Sequence, residues 1–197
     1  MKSFVVAISG ASGSVYGLRL VGELLKSVDR VYLCVSRQAF FIMKTETGVD
    51  WTGGTESETE KKIQEYYSSG KVRYFSENNL AAPISSGSFP AGGMFVVPCS
   101  MKTLSGIAGG YANNLIERAA DVALKEGRRL ILSPREMPFN AIHLENMLRL
   151  ARMGATIAPP VPAFYQRPES IDDIVDFVVG KLLDSSGLGH DLFRRWA

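Results

Sequence analysis

Four short apolar runs, Phe4 to Ile8, Val31 to Val35, Met94 to Val97 and Leu130 to Leu132, constrain this chain more than any other feature. They are continuous rather than alternating, which is the pattern of strands buried on both faces. Helical spacings stand between them. Leu18, Leu20, Val21, Leu24 and Leu25 repeat along one helix; Gln38 to Thr45, Asn113 to Glu126, Ala141 to Arg152 and Ile171 to Leu183 read as others, with Glu46 at or just past the end of the second. Val72 to Phe75 and Ala155 to Ala158 are weaker strands, Met94 to Val97 is expected to stop at Pro98, and residues 76–93 read as a long loop. Strands that alternate with helices from end to end predict a doubly wound, mostly parallel sheet covered on both faces.

A chain of 197 residues, 46% hydrophobic and 21% charged, fits a single domain over 1–197 with a substantial core. Its 22 Lys and Arg against 20 Asp and Glu leave a net charge of +2. That is no field for nucleic acid or a membrane surface, so any important positive charge must be local. Cys34 and Cys99 sit in strand-like runs and read as buried free thiols. No Cys/His spacing suggests zinc, and no metal is expected. The first apolar stretch runs into Gly10-Ala11-Ser12-Gly13 and reads as a strand and turn rather than a signal peptide, no run reaches the length of a membrane span, and the cytoplasm is the expected compartment.

In a doubly wound sheet, ligands bind at the carboxyl ends of the strands, so the turns there carry the information. Ser9-Gly10-Ala11-Ser12-Gly13 follows the first strand. Small residues let backbone N–H groups approach an anion, but a ligand-free tight turn also wants glycines. Ser36 follows the second strand and reads equally as a helix N-cap. Ser100-Met101-Lys102-Thr103 puts two hydroxyls and a lysine at a helix start, which suits a phosphate or plain capping. Arg135 and Glu136 follow Pro134; alone they are an exposed ion pair. Four strand ends carrying small, hydroxylic or cationic groups on one edge point together to a mononucleotide site.

At this point the sequence resembles the UbiX family of flavin prenyltransferases. The resemblance rests on an ordered set: Gly10-Ala11-Ser12-Gly13 with Tyr16-Gly17-Leu18-Arg19-Leu20, Thr45-Glu46-Thr47, Ser86-Gly87-Ser88, Pro98-Cys99-Ser100, Asn113 through Val122, Pro134-Arg135-Glu136, His143-Leu144-Glu145-Asn146-Met147, Phe164-Tyr165 and Arg195-Trp196. It implies a three-layer Rossmann-like or flavodoxin-like α/β fold, a homododecamer, reduced FMN as acceptor and dimethylallyl phosphate as donor. It also implies no metal, and a product, prenylated FMN, that serves UbiD-type decarboxylases. Carried over by position, FMN would meet Gly10, Ala11, Ser12, Ser36, Ser100, Met101, Lys102, Thr103 and Arg135. The prenyl phosphate would meet Ser86, Arg118, Lys125, Arg135, Tyr165 and Lys181, some of them from neighbouring subunits. Some members of the family carry arginine where this chain has Lys181, so the charge is kept and the bidentate geometry lost.

The same resemblance makes Ser12, Glu46, Glu136 and Trp196 the expected catalytic set. A phosphate monoester leaves only when its charge is neutralised, which the cations can do. Glu46 or Glu136 as a protonated acid would deliver a proton to it, which requires a raised pKa, and Glu46 is the expected proton handler. Ser12 would relay the proton at flavin N5. Trp196 would shelter a cationic allyl group; its other reading is a C-terminal anchor. Arg118 and Lys125 share a helix face, which also suits a surface ion-pair network. His143 reads as structural. Two rivals remain: an FMN-dependent decarboxylase of the phosphopantothenoylcysteine type, which would want a catalytic histidine and Pro-Ala-Ser-Ala-Asn-Thr where this chain has Pro98-Cys99-Ser100-Met101-Lys102-Thr103, and a non-enzymatic flavin carrier.

Overall fold

The computed structural model describes residues 2–195. Among them, strands β1 (Ser3–Ile8), β2 (Arg30–Val35), β3 (Val72–Ser76), β4 (Gly93–Cys99), β5 (Arg129–Pro134) and β6 (Thr156–Ile157) form one sheet of order β3-β2-β1-β4-β5-β6. Every pairing in it is parallel. Helices α1 (Ser14–Ser27), α2 (Arg37–Thr47), α3 (Glu56–Tyr67), α4 (Met101–Gly109), α5 (Leu115–Lys125), α6 (Ala141–Arg152) and α7 (Ile171–Ser185) complete it. The three-layer α/β expectation is met.

Alternation along each strand divides the core. Phe4, Val6, Ile8, Leu33, Phe95 and Ile131 point to the face covered by α1 and α7, while Val5, Ala7, Cys34, Met94, Val96 and Leu132 point to the face covered by α4 and α5. Helix α1 comes close enough to the sheet that a Cβ on Gly17 would overlap the Val97 carbonyl, so only glycine allows that approach. Cys34 and Cys99 are fully buried free thiols, as expected, and burial raises the pKa of both.

Several boundaries differ from the sequence reading. Strand β4 does not stop at Pro98. It continues to Cys99 through a register irregularity after Val96, and the Pro98 carbonyl accepts from both the amide and the hydroxyl of Ser9. Helix α2 runs to Thr47 and includes Glu46, ending where Gly48 adopts φ 74°. Helix α5 starts at Leu115, because the Asn114 side chain caps it through the Glu117 amide. Strand β6 is two residues, not four.

Candidate active site

The chain leaves β1 toward β2 and leaves its parallel neighbour β4 toward β5 on the other side, and the carboxyl ends of these two strands mark the switch point where such folds bind ligands. Ser9 joins the two ends. Its buried hydroxyl donates to the Pro98 carbonyl at 2.9 Å and accepts the Ser100 amide at 2.8 Å. This bridge fixes the turn after β4 beside the turn after β1. A cleft of about 510 Å³ opens there, lined by Gly10, Ser36, Glu77, Ser100, Met101, Lys102, Thr103, Glu117 and Glu136 among others. That is the size of a small-molecule site.

Which helix ends can take an anion follows from their caps. At α1 the seat is filled: the Glu46 carboxylate accepts from Gly13 N–H at 3.0 Å and Ser14 N–H at 3.0 Å, and Gly13 itself offers no side-chain cap. At α2, Ser36 Oγ accepts from the Ala39 amide and Glu77 from the Arg37 amide. At α4, Ser100 Oγ takes only the Thr103 amide at 3.2 Å. The Met101 and Lys102 amides stand in the first turn, where no intrahelical acceptor reaches them, and they face the cleft with the exposed Lys102 side chain. A phosphate fits this end of the cleft.

The expectation of a raised pKa at Glu46 is corrected. Burial pushes its carboxyl upward, but hydrogen bonds from the Ser12 hydroxyl and the Ser14 and Gly13 amides outweigh it, and the net shift is downward. Glu46 is therefore an anion at neutral pH. Ser12 lies against it as the sequence reading required, and Ala11 is buried in the same turn.

Arg135 projects from the end of β5, with its amide on the Cys99 carbonyl. Burial raises the Tyr16 phenol and the Arg135 charge pulls against that rise, so Arg135 stands near Tyr16 of α1. Glu136 lines the cleft; Arg135 is exposed beside it.

The residues expected to meet the donor are not brought together within one chain. Ser86, Arg118 and Lys125 form one group: Arg118 Nε donates to the Ser85 carbonyl at 3.0 Å, and Lys125 Nζ lies against Gly87. Arg118 also pairs with Asp121 and Lys125 with Glu126, so the ion-pair reading of these side chains holds. Tyr165 is exposed and stands edge-on to Phe177 of α7, ring centres 5.9 Å apart. Lys181 lies further along α7, toward the end where the Ser186 carbonyl accepts from Arg129 at the start of β5. Within one subunit that is the edge of the sheet opposite the cleft. The physical reason is that helices of this fold run back along the sheet, so residues on their second halves leave the ligand edge. Trp196 lies outside the described residues. His143 closes a capping box with Asn140, as a structural residue does. Sequence reasoning missed Glu77 and Glu117.

A cleft at the β1/β4 switch point of a doubly wound sheet, with uncapped first-turn amides at α4, is the layout of a flavoprotein-type α/β domain. The family model described as Flavoprotein matches residues 1–183. The chain belongs to the UbiX family of flavin prenyltransferases: it is 47% identical over 197 residues to the flavin prenyltransferase UbiX of Alkalihalophilus pseudofirmus, covering 99% of this chain and 96% of that one. Two solved structures are similar throughout. One is the dodecameric FMN-dependent UbiX-like decarboxylase of Escherichia coli O157:H7, with TM-score 0.88, 44% identity and 99% of both chains covered. The other is AnUbiX (PadA1) in complex with FMN and dimethylallyl pyrophosphate, with TM-score 0.87, 43% identity and 100% and 97% covered.

Proposed function

We propose that this protein transfers a dimethylallyl group from dimethylallyl phosphate to reduced FMN, joining prenyl C1′ to flavin N5 and then C3′ to C6. Prenylated FMN then passes to UbiD-type decarboxylases. The observation that carries the reading is the pair of uncommitted amides, Met101 and Lys102, beside a cationic side chain at the switch point, in a chain 47% identical to a named flavin prenyltransferase. The cleft fits FMN: Ser36, Ser100 and Thr103 line it with Gly10, and α4 receives the phosphate. Reduced FMN supplies the nucleophilic nitrogen and ring carbon when bound.

The chain's own residues do the rest. Arg118, Lys125, Arg135 and Lys181 neutralise the departing phosphate, and the Ser86 and Tyr165 hydroxyls donate to it. Since one subunit keeps these groups apart, the proposal places the donor site between subunits of a homododecamer, the assembly of the E. coli relative. Glu46 is ionised and hydrogen-bonded to Ser12, so this pair accepts the proton lost at the flavin, and Glu136 delivers the proton to phosphate. Trp196 shelters the allyl group. The cytoplasm is the proposed compartment. No helix of the described residues is long and apolar enough to cross a membrane.

The test is anaerobic incubation with reduced FMN and dimethylallyl phosphate, followed by mass analysis of the flavin. A gain of one prenyl unit is expected. Unmodified flavin with tight donor binding would make the chain a carrier, and carbon dioxide from a cysteine conjugate would make it a decarboxylase. Neither His143 nor His190 lines the cleft to serve that last reaction.

A further inference from the structure

Glu117 is a carboxylate that the reaction outlined above does not use. It is only 4% exposed, yet it lines the cleft. Its Oε2 accepts the Asn113 amide at 2.8 Å, while Oε1 has no donor among the described residues. Among the described residues no cation pairs with it: the adjacent Arg118 turns to Asp121 instead. The other two carboxylates of the cleft differ. Glu77 is half-buried and holds the Arg37 amide, and Glu136 is exposed and holds the Met137 amide. The backbone around Glu117 is shaped for it, since a Cβ on Gly106 of α4 would overlap its carboxylate. Glu117 thus presents an acceptor with an open lone pair at the cleft wall, on a side chain otherwise withdrawn from solvent.

A carboxylate oxygen accepts hydrogen bonds, as a phosphate oxygen does, so the two do not complete each other. What completes Glu117 is thus a neutral donor, a hydroxyl or a ring N–H, on a ligand whose phosphate lies elsewhere in the cleft. Flavin mononucleotide carries both kinds of donor, on its ribityl chain and on its ring. We infer that Glu117 is a specificity-determining residue that accepts a hydrogen bond from the flavin and directs its phosphate to the Met101–Lys102 end. This rests on the flavin reading above and adds to it the group that sets the ligand's orientation.

The test is fluorescence titration of the assembled protein with oxidised FMN, riboflavin and lumiflavin, for the parent, Glu117→Gln and Gly106→Ala. The glutamine keeps a carbonyl for Asn113 but can present a donor to a donor. The Gly106 variant leaves the carboxylate in place and pushes it aside. FMN and riboflavin should bind about tenfold more weakly to both variants. Unchanged lumiflavin identifies a ribityl hydroxyl as the partner; weakened lumiflavin identifies a ring N–H. FMN affinity within about twofold of the parent in either folded variant overturns the inference, including where melting temperature falls, because that is the mark of a purely structural carboxylate. Should Glu117→Gln fail to assemble, the Gly106→Ala titration decides alone. A parent that binds no FMN removes the flavin reading and this inference together, whereas a parent that binds and variants that match it remove only the inference.

Discussion

The Glu46 carboxylate sits 3.0 Å from the Ser14 backbone N–H, in the seat at the start of α1 that phosphates occupy in many nucleotide-binding folds. The protein thus supplies its own anion to the first strand–helix turn. The first-turn amides without a capping partner are one strand further on, at α4, and the hydroxyl of Ser12 is held toward Glu46.

Glu46→Gln tests the capping. The folded pKa of Glu46 is below its ordinary 4.5, so the folded state binds the proton less tightly than the unfolded one. The stability it contributes is complete above about 4.5 and is lost as pH falls through the lower folded value. The variant should be about 1 kcal/mol less stable at neutral pH, allowing for the exposure of the side chain. Urea melts should show that gap closing in acid; a gap that stays constant there rules out a charge-based cap.

Ser9→Ala removes the bridge between β1 and β4. It leaves the Ser100 amide without its acceptor in a buried place, which costs about 1–3 kcal/mol. Because the same bond aligns the turn that holds Met101 and Lys102, FMN affinity should fall with stability. Equal FMN affinity in a destabilised variant would separate the bridge from the site.

The strands and the cofactor turns were legible because both are local. Continuous apolar runs such as Phe4 to Ile8 can only be buried strands, and residues directly after them, Gly10, Ser36 and Ser100, must lie on one edge. Glu46 was placed at the helix end but misjudged in charge, because its partners at Gly13 and Ser14 lie on another helix. Gly48 did signal that α2 runs past Glu46. Glu117 reads as one polar residue of an amphipathic helix, and only the packing of α4 against α5 reveals it as buried. Arg118, Lys125 and Lys181 were recognisable by position alone. Any convergence of them on one donor would depend on how subunits meet, which no pattern along a single chain encodes.

Lys102→Ala separates the two ends of the cleft. If Lys102 and its neighbouring amides hold phosphate, FMN should bind about tenfold more weakly and riboflavin as before. Equal losses for both flavins would place Lys102 against the ring or the ribityl chain instead.

Asp184, at the end of α7, gathers the C-terminal segment. It pairs with Arg195 at 2.8 Å, stands 3.3 Å from Nε2 of the buried His190, and has Lys181 at 3.9 Å. Burial pushes its carboxyl upward, yet the bond and charge of Arg195 bring it below the ordinary aspartate value. Rings continue the anchor: His190 packs on Phe193, Phe193 on Phe177, and Phe177 on Tyr165, while Gln166 donates to the Arg194 carbonyl. The segment and the Tyr165 wall are therefore one packed unit, and loosening one end should loosen the other. Asp184→Ala should cost about 1 kcal/mol, since it frees the exposed Arg195 and removes the carboxylate beside the buried His190. Trypsin should then cut after Arg194 and Arg195 several-fold faster than in the parent. Asp184→Asn keeps a polar side chain that can still accept from Arg195 and loses only the charge, so its cleavage rate should fall between the two. If the proposed donor site uses Tyr165, KM for dimethylallyl phosphate should rise in the same order as the cleavage rate. Fast cleavage with an unchanged KM would show that the segment is anchored by Asp184 but plays no part in holding the donor.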